Sequence, residues 1–576
     1  MVGVLNPGVW GSGSGRTWSL RPADPTHVRA LEAGLGLSPV AARILAARGY
    51  DVGAARRFFT PDRTAILDPV GMRGLPDAVA RIDLALRRDE AIRLVTDYDV
   101  DGTTSCLILH AALDRRIAAL GSKAQVSYHI PDRFREGYGL SARAVDEAVR
   151  DGVRLLITAD IGVRDHATVT RAADAGVDVL IVDHHLPAGE EVPDRALAVL
   201  CPPQAGCAYT NKALAACGVS LKLADALLVG DARREDVLTS MYKLAAIGTV
   251  ADVVDLSTPE NRAIVTLGLE QLNVGRHSPG LTALLGVAGL EPGRITTGDL
   301  GFRIGPRINA AGRLDDANAV VRLLRERDPE RARAQAHALD QLNRERQDIQ
   351  GEMLARALAM VGDPAPPFVV LAGHEADGWH RGVAGIVAAK VRDQVHRPVA
   401  VLSILGGTAV GSVRSIPQVH AVRALDAAAS LLVRYGGHPV AAGFTLPAEL
   451  VDAFTQAVQG FVAAHHDDAS LAAHDEVDAI LPAGADACAI AVELARFDPC
   501  GKGNPAPALV ALGAPTQVRV VKDRHLFFRV GDVDAVWWSG AARRDELGSV
   551  RAVLGTLGMN TWQGRAEARL TVEDVA

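Results

Sequence analysis

The stretch that decides the fold is AIRLVTDYDVDGTTSCLIL, residues 91–109. An apolar run suited to a buried β-strand leads into three aspartates on alternate positions, Asp97, Asp99 and Asp101. Gly102 follows, and apolar residues then recur at helical spacing. Carboxylates this close together repel one another unless a positive charge lies between them. The stretch therefore predicts a strand, a charged loop and a helix, with a cation bound at the loop.

The same alternation continues downstream and predicts a parallel sheet covered by helices. Strands are predicted at QVSYHIP, RLLITADIG, VDVLIVDHH and ALAVLCP, and helices at SARAVDEAVRDG and DHATVTRAADAG. Asp160 ends one of these strands, and Asp183, His184 and His185 end the next. Ligands of open parallel α/β sheets bind beyond the carboxyl ends of the strands. We therefore expect these side chains to lie at one edge of one sheet.

The rest of the chain predicts further domains, because 576 residues are too many for one core. A helical stretch, VLTSMYKLAAIGTVADVVDL, carries Asp252 and Asp255. A mostly polar helix then begins with an Asp cap and a proline in its first turn and stops at Gly-Asp-Pro. A second α/β unit follows it. Short, turn-separated strands near the end predict a small all-β module, with five strands as the simplest barrel.

Composition restricts the setting in which the protein works. The net charge of −7 argues against a uniformly basic nucleic-acid binder, although it leaves room for a local basic surface. No apolar run is long enough for a transmembrane helix, and the N-terminus has no signal-peptide pattern. The six scattered cysteines are typical of reduced thiols. We therefore expect a cytoplasmic protein without a membrane partner.

Three hypotheses compete for the aspartate loop. A calcium loop needs a glutamate at its twelfth position, where this sequence has Ile108, so that hypothesis fails. The phosphatase loop D-x-D-G-T of the haloacid-dehalogenase type fits Asp99 to Thr103, and the segment Gly230 to Asp236 resembles that family's acidic metal motif. It leaves the Asp-His-His segment unexplained. The third hypothesis is a site for two metal ions.

The two-metal hypothesis accounts for the polar residues of several segments together. Four carboxylates and one imidazole are available, from Asp99, Asp101, Asp160, His184 and Asp252. Two divalent ions roughly 3.5–4 Å apart need about that many ligands, and such a pair binds a phosphate and activates water near neutral pH. Imidazole mixed with carboxylates suits Mn²⁺ better than all-oxygen Mg²⁺ coordination.

At this point the sequence resembles a known family. DYDVDGTTS, TADIG, VDHHLP and GTVADVVDL resemble the four motifs of the DHH phosphoesterase superfamily. Within it, the resemblance is to the RecJ family of single-strand-specific 5′→3′ exonucleases. The segments that carry this closer resemblance are RIGPRINAAGRLDDA, WHRGVAGIVAAKV, GSVRS, GGHPVAAGF and FDPCGKGNPAPAL. Together the motifs cover nearly the whole chain.

The resemblance implies a multidomain α/β architecture with an all-β end. The implied parts are an N-terminal extension (1–50), a parallel-sheet DHH catalytic domain (51–327), a long connecting helix (328–362), a smaller α/β DHH-associated substrate-binding domain (363–465) and a C-terminal OB-fold domain (466–576). The implied reaction is hydrolysis of phosphodiester bonds in single-stranded DNA, releasing 5′-mononucleotides stepwise from a 5′ end during DNA repair and recombination.

The resemblance also implies a ligand set for two divalent cations, Mn²⁺ or Mg²⁺. One metal would be held by Asp99 and Asp160, with Asp97 nearby. The other would be held by Asp101, His184 and Asp252, with Asp160 bridging the two ions. His185 would face the scissile phosphate, and Asp183 would orient an imidazole from outside the metal ligands.

Residues of the later motifs are expected to bind phosphate through guanidinium groups and glycine-rich turns. The expected substrate-binding residues are Arg307, Asn309, Arg313, Ser412, Arg414 and His438. His380 has a competing interpretation as a helix cap. In the OB-fold domain Phe527, Phe528, Trp537 and Trp538 are candidates to stack on bases. Because each pair is adjacent in a strand, one ring of each pair is expected in the core.

The implied partners are single-stranded DNA with a 5′ end, a single-strand-binding protein and a helicase, and a monomer is expected. Two other members of the superfamily remain as alternatives. One is an enzyme for short oligonucleotides or small nucleotides, although such relatives generally lack an OB-fold. The other is a non-catalytic scaffold of the Cdc45-like branch, although such proteins have lost metal ligands that this sequence retains.

Overall fold

The computed structural model describes residues 4–6, 9–12, 15–187, 189, 191–314, 316–562 and 565–576. The chain divides into two compact units. The first unit comprises Asp24–Asn343 and Val492–Pro507, and the second comprises Met1–Ala23, Arg344–Ala491 and Ala508–Ala576. Within the described residues, no helix combines the length and apolar character needed to cross a membrane.

The first unit is built on a five-stranded parallel sheet, as predicted. In spatial order its strands are Val126–His129, Ala91–Thr96, Val153–Ala159, Asp178–Val182 and Ala198–Leu200. The winding direction reverses between Ala91–Thr96 and Val153–Ala159. Such a reversal opens a crevice at the carboxyl ends of the two strands, where ligands bind. These two strands lead directly into Asp97 and Asp160.

Helices cover both faces of this sheet. Leu155 and Ile157 face one buried core, whereas Leu156 between them faces another, so the strand is apolar on both sides. The helices of this unit are Pro25–Leu35, Pro39–Ala47, Val52–Phe59, Leu75–Arg87, Val100–Leu120, Ala142–Arg150, His166–Asp174, Ala216–Leu227, Arg234–Ala251, Pro259–Asn273, Pro279–Val287, Thr297–Asp299, Gly305–Leu314 and Asn318–Arg325. A π-helical turn, Leu300–Ile304, separates two of them.

The connecting helix spans Pro329–Met360, a length of 32 residues. It starts in the first unit and ends in the second. Asp328 caps it as predicted, because its Oδ1 accepts hydrogen bonds from the N–H groups of Glu330 and Arg331, each at 2.9 Å.

The second unit contains a mixed α/β domain. Its five-stranded sheet has the order Arg434–His438, Ala441–Pro447, Thr408–Arg414, Val399–Leu405 and Val369–His374. Only the last two strands pair in parallel. Its principal helices are Ala384–Val395, Ala421–Asp426 and Val451–His465.

The C-terminal β-module contains seven strands among the described residues, two more than the five that the sequence predicted. Its order is Ala479–Leu481, Leu509–Leu512, Ala552–Trp562, Arg565–Val575, Val533–Trp537, His525–Val530 and Pro515–Val521. The two additional strands are short, and the sequence gives them no alternating pattern long enough to predict. The helix Ala487–Leu494 lies between them in the chain.

The residues predicted as an N-terminal extension take part in both units. Strands Val4–Asn6, Val9–Gly11, Thr17–Leu20 and His474–Val477 form a four-stranded sheet in the second unit. Trp18 is 0% exposed, and its Nε1 donates a hydrogen bond to Asp574 Oδ2 at 3.3 Å. The helices from Pro25 onward belong to the first unit.

Candidate active site and metal centre

The aspartate loop turns tightly out of the strand Ala91–Thr96 and into a helix. The Asp97 N–H donates to Ala159 O at 3.2 Å, and Asp99 Oδ1 accepts from Gly102 N at 3.0 Å as the helix N-cap. A Cβ at Gly102 would lie only 2.4 Å from Asp97 O. Glycine is therefore required for the loop to fold back on itself and bring the aspartates together.

Asp101 lies in the first turn of that helix and also caps a second one. Its two carboxylate oxygens accept hydrogen bonds from the backbone N–H groups of Ala216 and Cys217, at 2.7 and 2.8 Å. These N–H groups belong to the start of the helix Ala216–Leu227, whose dipole stabilises a negative charge. No local pattern in the sequence indicates this contact, because the partners lie more than a hundred residues apart.

Asp160 and the Asp-His-His segment reach the site from the two neighbouring strands. Asp160 has a left-handed backbone conformation with φ of 64°, which aspartate tolerates better than most residues. Asp183 Oδ1 accepts hydrogen bonds from the N–H groups of His184 and His185 and lies 2.8 Å from His185 Nδ1. Asp183 thereby fixes the orientation of the His185 ring.

All seven residues predicted as catalytic or metal-binding lie in one cluster. Two sets of three residues have ligand atoms that all lie within 4.8 Å of one another. The first set is Asp97, Asp99 and Asp160, and the second is Asp101, His184 and Asp252. His184 Nε2 joins the sets, because it is 3.3 Å from Asp160 Oδ1 and 3.6 Å from Asp252 Oδ2. His185 forms a third such set with Asp160 and His184.

The cluster carries more buried negative charge than its own residues neutralise. Burial and the charges of neighbouring carboxylates raise the pKa of Asp97, Asp160 and Asp252 well above the usual range. Burial also raises the pKa of Asp101, although the charge of His184 opposes it. Burial would lower the pKa of His184, but the carboxylates of Asp252 and Asp101 outweigh it and raise that pKa.

Three buried polar atoms of the cluster lack a hydrogen-bond partner among the residues that the structure describes. They are Asp97 Oδ1, Asp160 Oδ1 and His184 Nε2. Buried polar atoms are normally satisfied, so these three indicate a missing ligand. Oxygen and imidazole donors around concentrated negative charge fit divalent cations of the Mn²⁺ and Mg²⁺ class.

Asp183 differs from the other carboxylates although it is equally buried. Burial would raise its pKa, but the hydrogen bond and charge of His185 lower the pKa of Asp183 to about 2. Asp183 is therefore fully supplied with donors by its neighbours, including the Val163 N–H at 3.1 Å from Oδ2. Asp183 therefore orients the His185 ring, and it belongs to none of the candidate metal groups of the described residues.

The rival hypotheses for the aspartate loop do not match this geometry. Ile108, at the twelfth position of the supposed calcium loop, is fully buried in the helix core. Asp231, in the supposed acidic phosphatase motif, forms an ion pair with Arg115 at 2.7 Å and belongs to none of the three candidate metal groups found among the described residues.

The helix Gly305–Leu314 brings three predicted phosphate-binding residues near the aspartate loop. A Cβ at Gly312 would lie 2.8 Å from Tyr98 O, so the helix packs directly on the loop. Asn309 lies between Gly305 and Gly312 on that helical face, and Arg313 follows directly. The guanidinium of Arg307 is not free to bind phosphate as predicted, because it donates to Asp340 Oδ1 at 2.9 Å and to two backbone carbonyls.

In the second unit, Ser412, Arg414 and His438 lie on one face of the mixed sheet. Arg414 and His438 are both paired with Ala441, from opposite sides, and Ser412 lies two residues before Arg414. Arg414 Nη1 donates to Ser412 Oγ at 2.9 Å. A Cβ at Gly385, at the N-terminal end of the helix Ala384–Val395, would lie 2.8 Å from Arg414 Nη2. A guanidinium, a hydroxyl and a helix N-terminus therefore meet at one point.

Two other predictions for single side chains can be compared with the structure. His380 Nδ1 accepts a hydrogen bond from the Gly382 N–H at 3.0 Å, in the turn before the helix Ala384–Val395. The N-cap of that helix is Val383 and has no side-chain cap hydrogen bond, so His380 orders the turn but does not cap the helix. Phe528 and Trp537 are 3% and 6% exposed, whereas Trp538 is 54% exposed. The prediction that one ring of each aromatic pair lies in the core is confirmed.

Sequence reasoning missed Tyr138, which lies against the cluster. Its hydroxyl donates to Asp160 O at 3.2 Å and lies 3.1 Å from His185 Nε2. Gly137 and Gly139 flank it with positive φ angles of 85° and 95°. The pattern Gly-Tyr-Gly after a predicted strand was the available signal, because paired glycines indicate a constrained turn.

Fold and site together define a metal-dependent phosphoesterase of the DHH class. The model of the DHH family N-terminal domain matches residues 91–249, that of the DHHA1 domain matches 366–464, and that of the RecJ OB domain matches 477–574. The multidomain fold class predicted from the sequence is therefore confirmed.

Individual relatives narrow the assignment. The chain is 34% identical over 571 residues to the single-stranded-DNA-specific exonuclease RecJ of Bacillus subtilis, covering 97% of this chain and 70% of the relative. It superposes on the crystal structure of RecJ with Mn²⁺ from Thermus thermophilus with a TM-score of 0.82 at 31% identity, covering 98% of this chain and 80% of the other. The Mg²⁺ complex of that protein gives a TM-score of 0.75 at 30% identity, covering 97% and 78%. The chain belongs to the RecJ family.

Proposed function

We propose that the protein is an exonuclease that hydrolyses single-stranded DNA from its 5′ end and releases 5′-mononucleotides, using two divalent cations, Mn²⁺ or Mg²⁺. The convergence of seven carboxylate and imidazole side chains at the reversal point of the parallel sheet carries this proposal. Membership of a family whose named relatives are single-stranded-DNA-specific exonucleases supports the choice of substrate.

The two sets of ligand atoms divide the metal sites between them. One cation would be held by Asp97, Asp99 and Asp160, and the other by Asp101, His184 and Asp252. Asp160 could serve both, because its Oδ1 lies 3.3 Å from His184 Nε2. When bound, such a pair of cations polarises the scissile phosphate and makes water acidic enough to serve as the nucleophile.

The residues around the cations position the substrate and the protons. Asp183 holds His185 by its Nδ1 atom, so that His185 Nε2 remains on the side of Tyr138. From there the imidazole can donate a hydrogen bond to a phosphate oxygen or to the leaving oxygen. Tyr138 limits the space beside His185, because its ring centroid lies 5.9 Å from the imidazole centroid.

The cradle of Ser412, Arg414 and His438 supports binding of a terminal 5′-phosphate. Arg414 is half-buried, and the acceptors of its guanidinium among the described residues are the Ser412 hydroxyl and the Val413 carbonyl, with no carboxylate. Burial and then the charge of Arg392 lower the pKa of Arg414, so its positive charge is poorly compensated. A buried guanidinium without a counter-ion fits a phosphate dianion, for which the fork of Arg is well suited. Asn309 and Arg313 would contact neighbouring phosphates, and Arg307 would act through its contacts with other residues.

The β-module offers a surface for the following nucleotides. Phe527 lies in a groove of about 400 Å³, with the guanidinium carbons of Arg519 and Arg569 at 5.3 and 5.6 Å from its ring centroid. The exposed Trp538 lies 6.1 Å from Phe527. Aromatic rings beside arginines are the usual surface for single-strand binding, since bases stack and the backbone is neutralised. We place the protein in the cytoplasm, as a monomer in DNA repair and recombination, with a single-strand-binding protein and a helicase as partners.

A nuclease assay tests the proposal. The substrate is single-stranded DNA phosphorylated at its 5′ end and labelled at its 3′ end, incubated with Mn²⁺, Mg²⁺ or EDTA beside a matched duplex. We expect a ladder of shortening products on the single strand only, and none in EDTA. Turnover of dinucleotides or small phosphate esters without a ladder on long strands would contradict the proposal.

A further inference from the structure

The loop Pro499–Pro505 belongs to the first unit, although in the chain it lies between two strands of the β-module, Ala479–Leu481 and Leu509–Leu512. The sequence Pro-Cys-Gly-Lys-Gly-Asn-Pro contains one cation, Lys502, and two glycines that let the chain turn tightly. We call this segment the 499–505 loop. Its surroundings show that it is held in a fixed position beside the metal cluster.

Buried side chains anchor the 499–505 loop by its backbone. Arg262 is 1% exposed and donates hydrogen bonds to Pro499 O at 3.0 Å and to Asp498 O at 2.8 Å. Asn504 Nδ2 donates to Phe497 O at 2.8 Å and to Pro499 O at 2.9 Å. A buried guanidinium that loses its hydrogen-bond acceptors destabilises the fold, so any movement of the loop away from Arg262 is unfavourable. The position of the loop is therefore strongly determined.

The other side of the loop packs on the segment that follows Asp252. The Leu256 N–H donates to Lys502 O at 2.8 Å. Gly503 has φ of 77°, and a Cβ there would lie 1.8 Å from Asp255 Oδ1. A side chain at position 503 would therefore have to displace the Asp255 carboxylate, and the positive φ also favours glycine there.

Lys502 projects from this rigid support as an exposed cation. Among the described residues, its ammonium group has no hydrogen bond or ion pair with a side chain or carbonyl. It is nevertheless close enough to Asp252 that its charge opposes the rise in the pKa of that carboxyl. A rigid loop that holds an unpaired lysine beside an acidic cluster is suited to binding an anion that passes the cluster.

We propose that Lys502 is a substrate-positioning residue that binds the backbone phosphate next to the scissile one. This inference rests on the proposed function, because it requires a polynucleotide at the metal centre. The compact ammonium on a flexible stem suits a phosphate whose position shifts slightly from one nucleotide to the next. Lys502 therefore sets the register of the strand, and the metal ligands act on the phosphate that this register presents.

The test compares Lys502→Gln and Lys502→Arg with the wild-type enzyme. Lys123→Gln is the matched control, because Lys123 is exposed and lies in the loop before the strand Val126–His129, at the end of the sheet away from the carboxyl ends of the strands. Turnover is measured with Mn²⁺ on a 5′-phosphorylated oligonucleotide and on a dinucleotide that has only its internal phosphate. Binding of the oligonucleotide is measured separately by fluorescence anisotropy in EDTA over a range of salt concentrations.

For Lys502→Gln we expect KM on the oligonucleotide to rise about tenfold with kcat within about twofold, as for the loss of one charge-assisted hydrogen bond. The slope of log affinity against log salt should fall by about 0.7, the contribution of one phosphate contact on a single strand. The dinucleotide should be turned over at the wild-type rate, Lys502→Arg should restore most of the loss, and Lys123→Gln should change none of these values.

An equal loss on the oligonucleotide and the dinucleotide would overturn the inference, since it would place the effect of Lys502 on Asp252 and the metal centre. An unchanged salt slope in EDTA would overturn it as well. If the wild-type protein fails to degrade the oligonucleotide, the proposed function fails. The anisotropy comparison would still decide whether Lys502 binds a phosphate.

Discussion

The substitution Asp160→Asn is predicted to stabilise the metal-free protein while abolishing turnover. Burial and the charges of Asp99 and Asp101 raise the pKa of Asp160, so its ionised form is unfavourable when no cation is bound. Its φ of 64° is a conformation that asparagine also adopts. The substitution therefore removes an ionisable group that is costly to charge at this position, without disturbing the backbone.

The magnitude follows from two opposing free energies. Because the folded protein disfavours the ionised form of Asp160, replacing it with a neutral amide should raise the free energy of unfolding in EDTA. In the wild-type protein, Mn²⁺ at a hundred times its dissociation constant adds about 2.7 kcal/mol, which the variant should not gain. The order of stability should therefore reverse between EDTA and Mn²⁺.

Thermal unfolding of both proteins, with EDTA and with increasing Mn²⁺, measures this reversal. The nuclease assay should show a fall in kcat of at least about a thousandfold, or about 4 kcal/mol. Asp194→Asn serves as the control, because Asp194 is exposed and lies outside the three candidate metal groups of the described residues. A variant that cuts at the wild-type rate, or that gains as much stability from Mn²⁺ as the wild type does, would refute the bridging role of Asp160.

Three further predictions concern other parts of the protein. In EDTA, the free energy of unfolding should rise as the pH falls from 7 toward 3.8, because the buried carboxyls with raised pKa values bind protons more tightly in the folded state than in the unfolded state. Urea unfolding at a series of pH values measures this change, and a fall in stability over that range would contradict it. Arg414→Ala should weaken the preference for 5′-phosphorylated ends about tenfold or more, measured as the ratio of kcat/KM on phosphorylated and unphosphorylated strands, whereas equal losses on both would show that the phosphate binds elsewhere. Trp538→Ala should weaken oligonucleotide binding by about 1–3 kcal/mol with no loss of thermal stability, whereas Trp537→Ala should lower stability; the opposite pattern would exclude stacking on Trp538.

The parts of the site that could be predicted from the sequence are those that follow strands. Asp97 and Asp160 each come directly after an apolar run and His184 comes one residue after another, and parallel strands place their carboxyl ends together. The alternation of strands and helices was enough to assign these residues to one sheet edge. The sequence therefore predicts those site residues whose position is determined by the end of a parallel strand.

Contacts between distant segments could not be predicted in this way. Asp101 receives its hydrogen bonds from Ala216 and Cys217, and Arg307 is held by Asp340, and no local pattern connects these partners. The same limit applies to the strand Thr17–Leu20, whose partner His474–Val477 follows more than four hundred residues later. Such pairings depend on tertiary packing, which outweighs local propensity.

That strand pairing has a consequence for the order in which the chain folds during synthesis. Thr17–Leu20 is synthesised early, yet its partner His474–Val477 follows more than four hundred residues later. At about 5–20 residues per second, the early strand waits roughly half a minute to a minute and a half. During that time nearly all of the parallel-sheet unit has emerged and can fold. The strand Thr17–Leu20 can pair early with Val9–Gly11, but its other edge stays open until late in translation. A chaperone that binds short apolar segments would find that edge accessible for most of that time.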